Sequence, residues 1–86
     1  MAKVKLKLFG LLRIDSGIKE LELEADTVRD IYPKLLEEMH RRDPGCTFVE
    51  KDLRGCVVAV NDRRANPGTK LSPGDVVCLL PPVAGG

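Results

Sequence analysis

Only three of the 86 residues are aromatic, Phe9, Tyr32 and Phe48, and there is no tryptophan. Platforms on which bases or sugars stack are nearly absent, so the interior has to be built from Leu, Val and Ile. An excess of one charge is missing too. Fourteen Lys and Arg against thirteen Asp and Glu leave a formal charge of +1, far from the surplus used by binders of phosphate backbones, and no nucleic-acid partner is expected. No apolar run approaches the roughly 18 to 20 residues that cross a bilayer, and the N-terminus alternates Lys with apolar residues where a signal peptide would be continuously apolar. A cytoplasmic protein without a membrane partner is expected. Cys46, Cys56 and Cys78 are odd in number and widely spaced, which fits neither a disulfide framework nor the close pairs of a zinc site. Reduced, buried thiols and no metal are the expectation. The length leaves room for one core and not for a second domain.

What is present is patterned. From Lys3 to Phe9 the sequence K-V-K-L-K-L-F puts Val4, Leu6 and Leu8 on one side and three lysines on the other, the period of a half-buried strand. After Asp15, Ser16 and Gly17, read as a connection, Ile18 to Glu24 sets Leu21 and Leu23 against Glu20, Glu22 and Glu24. Lys on one strand and Glu on the next favour antiparallel pairing. The period then changes: Val28, Ile31, Tyr32, Leu35, Leu36 and Met39 recur at three and four residues, the stripe of one amphipathic helix. Its outer side carries Asp30, Lys34, Glu38 and Arg42 at four-residue spacing, and Glu37 precedes Arg41 by four. Thr27 and Asp30 resemble a capping box, but Pro33 would then fall beyond the first turn. Either Asp30 is the N-cap or the helix kinks there. Asp43-Pro44-Gly45 ends the helix near Arg42.

Cys56 to Val60 is a Val-rich strand entering a tight turn at Asn61-Asp62, with a short return strand near Arg64. Ser72-Pro73-Gly74 places Pro and Gly where a type II turn requires them. The run Val76 to Leu80 is then a buried strand. The order strand, strand, helix, strand, short strand, strand gives an α+β domain with one helix on a mixed sheet.

No catalytic constellation accompanies this pattern. The single histidine, His40, falls in the last turn of the helix, where it suits the dipole. The glycines stand singly in turns, without a phosphate-binding loop. The distinctive feature is the ending Pro81-Pro82-Val83-Ala84-Gly85-Gly86. Two prolines hold an extended stem, and the following side chains taper to none, so that a backbone can enter a narrow channel and present the Gly86 carboxylate. Two final glycines arise by chance in roughly one sequence in two hundred, which keeps a frayed end open as the alternative.

An N-terminal strand, one helix, the L-S-P-G-D turn at Leu71 to Asp75, a Val-rich last strand and the ending P-P-V-A-G-G resemble the ubiquitin-like sulfur carriers of the β-grasp fold. The specific resemblance is to the small subunits of molybdopterin synthase, and it spans the whole chain. Thiamine-pathway carriers share the Gly-Gly end but are typically shorter and lack the Pro-Pro-Val stem. The resemblance implies a β-grasp domain at 1–80, with a mixed sheet of four to five strands and one main helix, and a flexible tail at 81–86. It implies a sulfur-donating subunit with no catalytic side chains and no bound cofactor of its own. Gly86 would be adenylated with ATP by a ubiquitin-activating-type adenylyltransferase, and a sulfur donor protein would supply the sulfur of a thiocarboxylate. Residues Pro81, Pro82, Val83, Ala84 and Gly85 would insert into the large synthase subunit, in a heterotetramer. There the sulfur passes to cyclic pyranopterin monophosphate, building the dithiolene that binds molybdenum or tungsten. Phe9, Arg13, Arg64 and Leu80 match the family's docking patch, although the family often has an apolar side chain at the position of Arg64 and Phe at that of Leu80. Each has a plainer reading as well: Phe9 closes the core, and Arg13 is a solvated loop residue. Leu11, Leu12 and Ile14 either extend the docking surface or tuck under the helix. A carrier for thiamine synthesis or tRNA thiolation, and a modifier attached through Gly86 to lysines, are the alternatives.

Overall fold

The computed structural model describes residues 1–81. Five strands and three helices follow one another as β1 (Ala2–Leu8), α1 (Gly10–Ser16), β2 (Glu20–Ala25), a 3-10 turn (Val28–Asp30), α2 (Ile31–Arg42), α3 (Glu50–Arg54), β3 (Val57–Val60), β4 (Arg63–Arg64) and β5 (Val76–Leu80). They form one mixed sheet in the order β2-β1-β5-β3-β4. The first and last strands lie parallel at its centre, and every other pairing is antiparallel.

Alternation decides the faces. Val4, Leu6 and Leu8 of β1 and Val77 and Leu79 of β5 are buried, joined by Val58 of β3 and by Val28, Ile31, Tyr32, Leu35 and Met39 of the helical side. The intervening Lys3, Lys5 and Lys7 stand opposite Glu24, Glu22 and Glu20 on β2. Ion pairs run diagonally, Lys3 to Glu22 at 3.6 Å and Lys5 to Glu20 at 3.5 Å. Such exposed pairs contribute about 0.2–1 kcal/mol each and serve register more than stability.

The start of α2 resolves the Pro33 conflict. Thr27 opens a single 3-10 turn, and α2 begins only after Asp30, so Pro33 is its third residue, where no intrahelical N–H bond is due. The capping box is half formed. The Asp30 carboxylate accepts from the Thr27 N–H at 3.0 Å and from its hydroxyl at 3.1 Å, while the Asp30 N–H goes to the Thr27 carbonyl. These bonds hold the Asp30 carboxyl below its ordinary value. The free donors of Val28 and Arg29 are met by the carbonyls of Thr69 and Pro67. On the outer side Glu38 accepts from both Arg42 and Arg41, so Arg41 pairs three residues back and not with Glu37. His40 does more than face the dipole: its Nε2 lies 3.0 Å from the Phe48 carbonyl and ties the following loop to α2.

Two helices depart from the sequence reading. The connection after β1 is α1, which buries Leu12 and leaves Leu11 and Ile14 exposed. The segment before β3 holds α3, five residues long, which buries Leu53 and lays Arg54 over the Tyr32 ring at 5.3 Å. The turns follow expectation. Asn61 and Asp62 both have positive φ, and Gly74 has φ 87° with the Asp75 N–H bonded back to the Ser72 carbonyl. The cysteines are free but half-buried, not fully buried. Burial raises the thiol pKa of Cys56 and Cys78. Among the described residues no helix is long and apolar enough to cross a membrane.

Candidate functional site

The chain leaves the sheet from its central strand. β5 is held by β1 on one side and β3 on the other, and the bond from the Phe9 N–H to the Leu79 carbonyl, 3.1 Å, pins its last turn of pleat. Its opposite end is held as firmly. The Asn61 side chain accepts from the Val76 N–H at 3.0 Å and donates to Asp75 at 2.9 Å, while the other Asp75 oxygen accepts from the Ser72 N–H at 2.8 Å. A strand fixed at both ends sets the direction in which Pro81 leaves the sheet.

Pro81 is the last described residue, and it lies against the first residue of α1. A Cβ on Gly10 would stand 2.9 Å from the Pro81 ring, and Gly10 has φ +60°. Glycine therefore serves two needs here, a left-handed corner and room for the proline. The predicted tail residues Pro82, Val83, Ala84, Gly85 and Gly86 lie outside the described residues.

Around this exit the open face of the sheet carries apolar side chains. Leu80 is 39% exposed and stands in register with Val57, 36% exposed, and Phe9 is 37% exposed beside them in sequence register with the end of β1. Phe9 thus does not close the core; Leu8 before it takes the inward position. The next row along the face runs Lys7, Cys78, Ala59 and Arg64. Phe9, Lys7 and Cys78 line one shallow cleft together with Val76, Asn61 and Asp62. Arg13 approaches from α1 and lines a second cleft with Phe9, Lys7 and Glu20. Of the four docking positions read from the sequence, Phe9, Leu80 and Arg64 share the open face, and Arg13 flanks it. Val57 was missed, since a continuous run of valines does not reveal which of them faces outward; only the register with β5 does.

Among the described residues that line it, the arrangement has no nucleophile–base pair. Among the described residues no three His, Cys, Asp or Glu side chains gather to hold a metal ion. What it offers is a central strand fixed at both ends, flanked by an apolar collar of partly exposed side chains.

A mixed sheet with parallel first and last strands at its centre, crossed by one main helix, is the ubiquitin-like β-grasp fold. The model of the ThiS family matches residues 6–86, and the chain belongs to that family, the ubiquitin-like sulfur carriers. Solved structures agree. The chain is similar to molybdopterin converting factor subunit 1 of Pyrococcus furiosus, with 30% identity, 96% of this chain and 100% of that one covered, and a TM-score of 0.68. It is similar to SAMP1 of Haloferax volcanii at 26% identity, with 99% and 100% covered and a TM-score of 0.71. It is also similar to the molybdopterin-converting factor of Helicobacter pylori 26695, solved as a complex of its subunits 1 and 2, at 29% identity, with 98% and 99% covered and a TM-score of 0.61. A search of curated sequences returns no significant match.

Proposed function

We propose that this sulfur carrier is the small subunit of a molybdopterin synthase. The observation that carries the reading is the ending P-P-V-A-G-G directly after the central strand β5, in a chain 30% identical to molybdopterin converting factor subunit 1 of Pyrococcus furiosus over nearly its whole length. A carboxylate is a poor electrophile until one oxygen becomes a good leaving group. In this reading the Gly86 carboxylate attacks the α-phosphate of ATP on a ubiquitin-activating-type adenylyltransferase, releasing pyrophosphate and leaving an acyl-adenylate. Hydrosulfide released from a donor protein then attacks the acyl carbon, the C–S bond forming as the C–O bond to AMP breaks, and leaves the thiocarboxylate. The tail, Pro81 to Gly85, enters the large subunit within a heterotetramer; there the thiocarboxylate sulfur bonds to a carbon of cyclic pyranopterin monophosphate as an oxygen leaves it, and water then cleaves the acyl–sulfur bond, returning Gly86 to the carboxylate and leaving the sulfur on the pterin. Acid, base and substrate groups belong to the large subunit, and this chain binds no cofactor. Phe9, Val57 and Leu80 rest on the partner, with Arg13 and Arg64 at the rim.

Intact-mass measurement after incubation with ATP, a sulfide source and the host's activating enzyme tests the carrier step. The expected result is the exchange of one oxygen for sulfur, lost on deletion of Gly86. The acceptor is tested by adding the large subunit and cyclic pyranopterin monophosphate and following the return of the mass to that of the carboxylate. The similarity to SAMP1, a small archaeal modifier protein by name, favours a second reading in which Gly86 is joined to lysines of other proteins. Covalent species of higher mass that resist denaturant and thiol would support it over the first.

A further inference from the structure

Pro81 follows the last residue of β5 and has no N–H to give to a neighbouring strand, so what seats it is contact. The contact that the structure shows is with Gly10. A Cβ placed there would stand 2.9 Å from the ring Cγ and 3.4 Å from Cδ, and a separation under 3.0 Å forces one side to move. The corner at Gly10 is the firmer side. Phe9, just before it, donates its N–H to the Leu79 carbonyl at 3.1 Å, and Leu12, just after, is buried in the core. Nor does the proline ring swing away by itself, since Cγ and Cδ are tied back to the Pro81 nitrogen and no change of rotamer is open to them. A side chain at position 10 therefore displaces the Pro81 backbone, which is the root of the chain end.

Five residues follow Pro81, a reach of roughly 17 Å at about 3.3 Å per residue, so turning the root by about 10° carries the far end sideways by roughly 3 Å. Misplacing a reacting group by about 1 Å can cost about a hundredfold in rate. We infer that Gly10 is a positioning residue for the chain end: its missing side chain lets the Pro81 ring seat on the corner before α1, and so sets the line along which Gly86 is presented; this rests on the function proposed above. The chain carries its own control. Gly17 closes α1 at the other end with φ +72°, and a Cβ there would meet nothing within 4 Å. Both glycines occupy left-handed backbone, where an L side chain is strained. Only Gly10 has a proline to make room for.

The test compares full-length Gly10→Ala, Gly17→Ala, Pro81→Ala and the combination of Gly10→Ala with Pro81→Ala, each checked for folding by circular dichroism. Oxygen-for-sulfur exchange by the host's activating enzyme is followed by intact mass at a series of carrier concentrations. Gly10→Ala is expected to lower kcat about tenfold with KM within about twofold, because the open face is untouched while the chain end is misdirected. Gly17→Ala keeps both constants within about twofold, having the strain without the contact. Removing Cγ and Cδ of Pro81 restores the room, so Gly10→Ala added to Pro81→Ala costs less than about twofold in kcat. If Gly10→Ala does not fold, Gly10→Asn, which accepts a positive φ and still carries a Cβ, is held to the same outcomes. Gly10 loses this role if its variant behaves as Gly17→Ala does, if the loss in kcat persists without the proline ring, or if KM rises at constant kcat, which would place Gly10 in a docking face. Those three results leave the proposed function standing, whereas an unaltered chain that takes up no sulfur overturns that function first and the role of Gly10 with it.

Discussion

The two faces of the sheet are written by the same strands, one residue out of step, and they do opposite work. The inward face of β1, β5 and β3 is aliphatic and fully covered by α2 and its neighbours, so its residues are held by close packing and any lost volume is felt. The outward face is a charged ladder toward β2 and an apolar collar toward β3, whose side chains remain partly exposed among the described residues. The inner face makes the domain stable; the outer one leaves it unfinished. The function proposed above calls for both, a platform that does not yield and a surface that a partner completes.

The comparison can be broken at the exit itself, where the effect is largest. Deleting Gly86 is expected to abolish oxygen-for-sulfur exchange while leaving the thermal midpoint unchanged, since the buried core of the described residues runs from Ala2 to Leu79; intact mass and calorimetric melting read the two halves. Next in size, Leu35→Ala on the inner side is expected to lower stability by about 2–5 kcal/mol by urea denaturation, the cost of lost burial plus an unfilled cavity. Sulfur exchange per folded molecule should remain. The outer face inverts that pattern. Leu80→Ser or Phe9→Ser is expected to change stability by no more than about 0.5 kcal/mol, in line with surface substitutions, and to weaken large-subunit binding about tenfold. A matching loss of stability would mean that the collar belongs to the core after all.

The smallest effect concerns the cap of α2. The Asp30 carboxyl is held below its ordinary value of 3.8, chiefly by the Thr27 N–H and hydroxyl. Its folded pKa is the lower one, so the unfolded chain binds more protons, and the stabilisation is present above pH 3.8 and disappears as pH falls through the folded value. Asp30→Asn should therefore flatten the acid limb of stability against pH and leave the neutral plateau slightly lower, as read by melting at a series of pH values.

Much of this was legible in the residues. The period-two runs of β1 and β2, the Lys and Glu alternation that pairs them, the 3.6-residue stripe of α2 and the Asn61-Asp62 and Pro73-Gly74 turns each carry a local physical cause. The short helices were not legible. α1 has apolar residues at Leu11, Leu12 and Ile14, which make no stripe because only Leu12 faces inward, and α3 buries a single leucine in five residues. Helices of that length have no stability of their own and form because the surroundings accept them. The ion pairs of α2 were half legible for a similar reason: spacing permits both Glu37 and Glu38 to pair with a basic residue, and side-chain placement selects Glu38 for both arginines.

The docking surface shows the same division. Phe9, Arg64 and Leu80 were marked through family resemblance, yet their meeting on one face depends on β5 inserting between β1 and β3, and the β1–β5 part of that insertion pairs residues more than 60 positions apart. By itself the sequence determined the five strands, the main helix α2, the turn positions and the charge ladder, because each follows from interactions within a few residues. The tertiary structure alone decided which side of each strand stays open, that Val57 stands beside Leu80, and that Gly10 meets Pro81. Those outcomes depend on strand order and register, which are set by the burial of the whole core and not by any local signal.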